Sequence, residues 1–85
     1  MYQIEIKKQA KRKLMSLREN DRLRITEAIM CLGRNPNDVT LDTKRLTGSP
    51  CWRLRVGNWR IIYDKNNTLR IISIEKIKPR GDVYK

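Results

Sequence analysis

The stretch Trp52–Tyr63, WRLRVGNWRIIY, limits more than any other what this chain can fold into. A period of two puts Trp52, Leu54 and Val56 on one face and Arg53 and Arg55 on the other. Gly57-Asn58 supplies a two-residue hairpin turn, because glycine adopts positive φ freely and asparagine does so better than most residues. Beyond the turn, Trp59, Ile61 and Tyr63 alternate with Arg60 and Ile62. The result is a β-hairpin with one apolar face bearing two tryptophans and a second face bearing three guanidiniums. A guanidinium is permanently charged and presents a rigid fork of donors that matches phosphate oxygens. The hairpin therefore predicts a phosphate-reading surface held rigid by a core.

The rest of the chain must complete that core within 85 residues, which suits a single domain over 1–85. Its formal net charge is +11. Met1–Pro50 carries 11 basic and 6 acidic residues, and Cys51–Lys85 carries 9 and 3, so the charge belongs to the whole chain rather than to a basic tail. Such an imbalance on a folded domain points to a polyanionic partner, nucleic acid or an acidic protein; the plainer alternative is a basic surface serving solubility. No apolar run is long enough for a membrane span or a signal peptide, so a cytoplasmic location is expected, without a membrane partner. Cys31 and Cys51 lie far apart and histidine is absent, so neither a zinc site nor any other metal or cofactor is expected. Buried free thiols are the expected state of both.

Tyr2, Ile4 and Ile6 alternate with polar residues, a first strand at the N-terminus. From Lys8 the spacing turns helical through Ala10, Leu14 and Leu17, with lysines and arginines opposite. A break at Arg18–Asp21 precedes a second helix. Ser16 with Glu19 would make a capping box there, and Asn20 and Asp21 serve equally as N-caps. Ile25, Ala28, Ile29 and Leu32 form its stripe, Gly33 ends it and Pro36 prevents a restart. Pro36–Pro50 has no sustained period. Asp64-Lys65-Asn66-Asn67 is turn chemistry after the central hairpin, and Thr68–Lys76 is a final isoleucine-rich strand. Pro79 and Gly81 then break the chain out of the sheet. The expected order is β-α-α-β-β-β, an α+β fold in which a helical hairpin covers one face of an antiparallel sheet.

Beyond the last strand lie Lys78, Arg80 and Tyr84. If the tail turns back over the open face, these join Arg53, Arg55 and Arg60. Cleavage of RNA by its own 2′-hydroxyl needs that hydroxyl deprotonated, the added phosphorane charge stabilised and the 5′-oxygen protonated. Arginines suit the second task, while a lysine or tyrosine can move a proton and an aromatic ring can stack a base. Alternating arginines on a strand are more often a solvated face or a binding patch without chemistry. Trp52, Trp59 and Tyr63 share the apolar face and are expected in the core. Lys11, Arg12 and Lys13 fit a solvated helix face or an RNA contact, and Asp64 and Asp82 fit turns and local charge balance.

The arrangement L-x-G-x-x-x-W-R-L-R-V-G-x-W-R-I-I-Y, followed by a strand and then P-R-G-D-V-Y, resembles the RelE family of bacterial toxins in the RelE/ParE superfamily. Here those residues are Leu46, Gly48, Trp52–Tyr63 and Pro79–Tyr84, and the likeness extends over nearly the whole chain. The resemblance implies a metal-independent, ribosome-dependent endoribonuclease, an mRNA interferase that cuts mRNA in the A site, leaves a 2′,3′-cyclic phosphate and a 5′-hydroxyl, and is neutralised by a cognate antitoxin.

By the same resemblance, Arg53 and Arg55 fall where family members use lysines, Arg60 on a phosphate-binding arginine and Tyr84 on a base-stacking tyrosine. The second basic position falls on Lys78 or Arg80. Lys11, Arg12 and Lys13 join Arg53, Arg55 and Arg60 as RNA contacts. The departure at Arg53 and Arg55 matters chemically, since arginine does not release its proton; proton removal passes to Lys78, Tyr84 or solvent. Two other readings are a ParE-like toxin that binds gyrase without nuclease chemistry and a basic homologue that retains the scaffold but not the activity.

Overall fold

A computed structural model describes residues 1–79. In chain order its elements are β1 (Gln3–Ile6), α1 (Lys8–Ser16), α2 (Glu19–Arg34), β2 (Asp42–Arg45), β3 (Trp52–Val56), β4 (Trp59–Asn66) and β5 (Ile71–Pro79). The strands form one sheet in the order β1-β5-β4-β3-β2. β2 to β5 make an antiparallel meander, and β1 lies parallel to β5, so the sheet is mixed rather than wholly antiparallel. The parallel pair arises because the helical hairpin carries the chain from β1 to the far edge, and the meander then walks back to it.

Both helices cover one face. Ala10 and Leu14 of α1 and Ile25, Ile29 and Leu32 of α2 meet Leu54, Ile61, Tyr63, Ile72, Ile74 and Ile77 of the sheet, all buried. The predicted stripes are therefore the observed core stripes. Leu17 and Arg18 form the break between helices, but no side chain caps α2, whose N-cap is Arg18; Ser16 instead donates to the Lys13 carbonyl at 2.6 Å. Gly33 lies inside α2 and does not end it. Its missing side chain admits β1: the Tyr2 N–H donates to the Gly33 carbonyl at 2.7 Å, and a Cβ there would sit 3.1 Å from the Ile4 side chain.

Two boundaries differ from expectation for a shared reason. β2 arises in the segment without sustained period, because Asp42, Thr43, Lys44 and Arg45 pair with Arg55, Leu54, Arg53 and Trp52 of β3. A short, charged strand of this kind suits a sheet edge, where neighbour pairing, not hydrophobic alternation, holds it. Likewise β4 continues through Asp64, Lys65 and Asn66, since β5 offers partners to all three. The turn comes later: the Asn66 side-chain oxygen accepts from the Leu69 N–H at 2.9 Å, and Arg70 takes the positive φ of 56°. The last strand is thus Ile71–Pro79 rather than Thr68–Lys76, and Lys78 belongs to the sheet. Pro79 is tolerated because β1 pairs only with Ile71–Ile74, so among the described residues the end of β5 has no strand on its second side. Among the described residues, no helix is long and apolar enough to cross a membrane.

Candidate nucleic-acid interface

The central hairpin has the predicted two faces. Gly57 has a φ of 57° while Asn58 does not share the positive region, which marks a turn led by glycine. Leu54, Ile61 and Tyr63 are buried beneath the helices, and Trp52, Val56 and Trp59 pack half-buried around them. Neither tryptophan is fully enclosed, and each carries a cation on its ring: Lys65 lies 4.6 Å from the Trp52 centroid and Lys13 5.7 Å from that of Trp59. Burial pushes the Tyr63 phenol up to about 12, against a smaller opposing effect of the Thr43 side chain, so this tyrosine is a structural group rather than a proton carrier.

On the opposite, helix-free face, strand register sets side chains in transverse rows. One row runs Asp42, Arg55, Arg60, Lys78 across β2, β3, β4 and β5, and the next runs Lys44, Arg53, Ile62, Lys76. Neighbouring strands lie about 4.8 Å apart, so the backbone positions of Arg55, Arg60 and Lys78 fall within about 10 Å. Beside them opens a depression of about 390 Å³. Arg60, Ile62, Lys76 and Lys78 form its floor, and Leu46, Ser49 and Cys51 of the β2–β3 loop rise along one side. That loop is closed by the Leu46 N–H donating to the Cys51 carbonyl at 3.0 Å and turns at Gly48, φ 74°.

A β-bulge keeps on this face a residue, Lys76, that alternation from Ile72 and Ile74 would have sent to the core. Tyr63 pairs with Ile74 but Ile62 pairs with Lys76, leaving Glu75 as the extra residue. Glu75 and Lys76, consecutive in sequence, consequently both border the depression. Neither was singled out from the sequence, where a one-residue slip between paired strands leaves no mark.

The expected site residues divide. Arg55, Arg60 and Lys78 stand together on the open face, Lys78 as a residue of β5 rather than of a returning tail. Arg53 shares that face but is not presented to solvent: it is 7% exposed, and its Nη1 has no hydrogen bond among the described residues. Asp42 stands 3.7 Å from the Arg53 Nη1 and, through its other oxygen, 3.8 Å from Arg55, a charge pairing beyond hydrogen-bond length for the buried group. The expectation of three open guanidiniums is corrected to two. Lys11, Arg12 and Lys13 are exposed on α1, and Lys13 borders a second depression with Lys76 and Lys78 at the free end of β5. Arg80, Asp82 and Tyr84 lie outside the described residues. Asp64 is in β4 opposite Ser73 rather than in a turn. Both cysteines are free and half-buried, not enclosed as expected.

Chemically, the row offers two guanidiniums to a phosphodiester and one ammonium that can also give up a proton. The chain matches the family model described as "ParE toxin of type II toxin-antitoxin system, parDE" over residues 4–84. Its fold is similar to that of an archaeal RelE–RelB complex from Pyrococcus horikoshii OT3, at 33% identity and TM-score 0.82, over 94% of this chain and 96% of that one. It is also similar to the RelBE2 toxin–antitoxin complex of Mycobacterium tuberculosis, at 21% identity and TM-score 0.77, over 93% and 98%. For the intact RelBE toxin–antitoxin complex of E. coli the values are 13%, 0.79, 93% and 96%. Among curated protein sequences none matches significantly.

Proposed function

Since this chain belongs to the ParE toxin family of type II toxin–antitoxin systems, within the RelE/ParE superfamily, we propose that it halts translation by cutting mRNA in the ribosomal A site. The observation that carries this reading is the row Arg55, Arg60, Lys78 beside a depression large enough for a nucleotide. The scissile phosphate lies along the row. As the 2′-oxygen attacks phosphorus, Arg55 and Arg60 stabilise the charge that builds on the phosphoryl oxygens, the term that most lowers such a barrier. Lys78 donates a proton to the departing 5′-oxygen, and the products are a 2′,3′-cyclic phosphate and a 5′-hydroxyl. The ribosome supplies the substrate in a strained, single-stranded form and a polyanionic surface for the remaining basic residues, Lys11, Arg12 and Lys13 among them. The site of action is the cytoplasm.

The partner in the resting state is a cognate antitoxin, as the paired RelE–RelB structures suggest by analogy. A segment combining carboxylates with apolar side chains fits the basic face by charge complementarity. A second reading, a gyrase-binding toxin without nuclease chemistry, is favoured by the family model being that of ParE toxins. Primer extension on a translated mRNA after induction separates the two. Cuts phased with ribosomes support the nuclease; intact mRNA with damaged DNA supports the gyrase reading.

A further inference from the structure

Among the described residues the nuclease reading leaves one task without an owner. Neither Arg55 nor Arg60 accepts a proton, there is no histidine in the chain, and Tyr63 is sealed in the core. Lys78 serves as the proton donor, while Tyr84, the other expected acceptor, lies outside the described residues. We propose that Glu75, which alternation from buried Ile74 places on the open face beside the β4–β5 bulge, is the proton acceptor for the attacking 2′-hydroxyl; this rests on the reading of the site as an mRNA-cleaving one.

Three observations converge on this carboxylate. The bulge between Ile62 and Tyr63 leaves Glu75 without a partner on β4 and sets it next to Lys76 on the open face, as bulges beside active sites often do. Glu75 borders the same depression as Arg60 and Lys78, and it is the sole carboxylate among that depression's lining residues. Its backbone is pinned, since the Gln9 side chain of α1 donates to the Glu75 carbonyl at 3.1 Å, while no ion pair or hydrogen bond engages its carboxylate among the described residues. A carboxylate on an anchored backbone, left unoccupied, is available to take a proton.

The step balances without a further reactant. The 2′-O–H bond breaks and its proton passes to Glu75, while the oxygen's electron pair forms the 2′-O–P bond. The P–O5′ bond then breaks, its electron pair leaves with the 5′-oxygen, and that oxygen takes a proton from the Lys78 ammonium. Exchange with solvent restores both groups. The charged and titratable groups that share the depression with Glu75 are Arg60 of β4, Lys76 and Lys78 of β5 and the Cys51 thiol of the β2–β3 loop, while Lys13 of α1 lines a neighbouring depression with Lys76 and Lys78.

The test uses full-length protein on programmed ribosomes, measuring single-turnover cleavage across pH, with ribosome co-sedimentation and thermal melts alongside. Glu75→Gln is expected to bind ribosomes and melt like the wild type yet cleave about 10²–10⁴ times more slowly, and to lose the rise of rate with pH on the acidic side. Glu75→Asp is expected to keep that rise at a reduced rate but displaced toward lower pH, since an aspartate is intrinsically the stronger acid, a displacement that a purely structural role would not produce. If Glu75→Gln fails to fold, the pH profile of Glu75→Asp decides. A Glu75→Gln protein as fast as wild type, or a retained acidic limb in it, overturns the assignment while leaving the nuclease reading intact. A wild type that leaves ribosome-bound mRNA whole overturns both.

Discussion

Arg60 on β4 stands directly opposite Lys78 on β5, two cations facing each other across paired strands. Arg55 extends the same row on the other side of Arg60. Like charges placed this way oppose folding, whereas opposite charges favour it, by about 0.2–1 kcal/mol per pair. The free protein therefore holds a repulsion that an anion on this face relieves.

Replacing Lys78→Glu turns the repulsion into an attraction. The variant is expected to melt a few degrees higher, since about 1 kcal/mol moves the midpoint of a domain this size by roughly 4–8 °C. It should also lose toxicity. Inorganic polyphosphate should raise the wild-type midpoint more than that of the variant, because ligand binding to the native state stabilises in proportion to its differential affinity. Parallel thermal melts and an induction growth assay check both.

Arg60 and Ile61 are neighbours that strand geometry sends to opposite faces, with Ile61 at 0% exposure. Ile61→Ala should cost about 2–5 kcal/mol of stability through the cavity it leaves, and abolish activity only by unfolding. Arg60→Ala should melt nearly like wild type yet cleave about 10²–10³ times more slowly. Arg60→Lys should recover part of that rate, as an ammonium does not make two parallel bonds to a phosphate. Melts beside a translation-coupled cleavage assay separate the two effects.

Buried Arg53 leans on Asp42 alone among the described acidic residues, at 3.7 Å. Asp42→Ala strips a buried guanidinium of its counter-charge and is expected to cost about 1–3 kcal/mol. Arg53→Met, apolar and of comparable length, should be neutral or stabilising, as replacement of poorly satisfied buried charges often is. Urea midpoints of the two variants provide the comparison; greater damage from Arg53→Met would assign this guanidinium a bond that its present geometry lacks.

Tyr63 makes stability fall in alkali. Its phenol is raised from 10.0 to about 12 by burial in the native state, so the unfolded chain loses its proton first. The contribution is fully present below pH 10 and disappears as pH rises through about 12, at a slope approaching roughly 1.4 kcal/mol per pH unit. Tyr63→Phe should flatten that slope. Melting midpoints across this pH range, compared between the two proteins, read it directly.

Much of this was legible along the chain. Period-two alternation in Trp52–Tyr63 assigned core and open faces correctly, since side-chain direction in a strand is set by the adjacent peptide units alone. The stripe Ile25, Ala28, Ile29, Leu32 located α2 for the same local reason. Arg60 was legible as a face residue, and so was Arg55.

Other features belong to pairing between distant segments. β2 exists because β3 offers it an edge, and nothing in Asp42–Arg45 announces a strand. Lys78 joined the cationic row once β4 and β5 ran further than their turn chemistry implied, and Lys76 stayed on the face beside Glu75 through a one-residue slip opposite Ile62 and Tyr63. Arg53 is buried although its period and charge match those of Arg55. The sequence by itself determined which faces are apolar and which are basic, because those follow from local backbone geometry. Which charges meet, which are covered and where the carboxylate sits were decided only by the tertiary structure, because register and coverage depend on hydrogen bonds between strands that no short stretch of chain specifies.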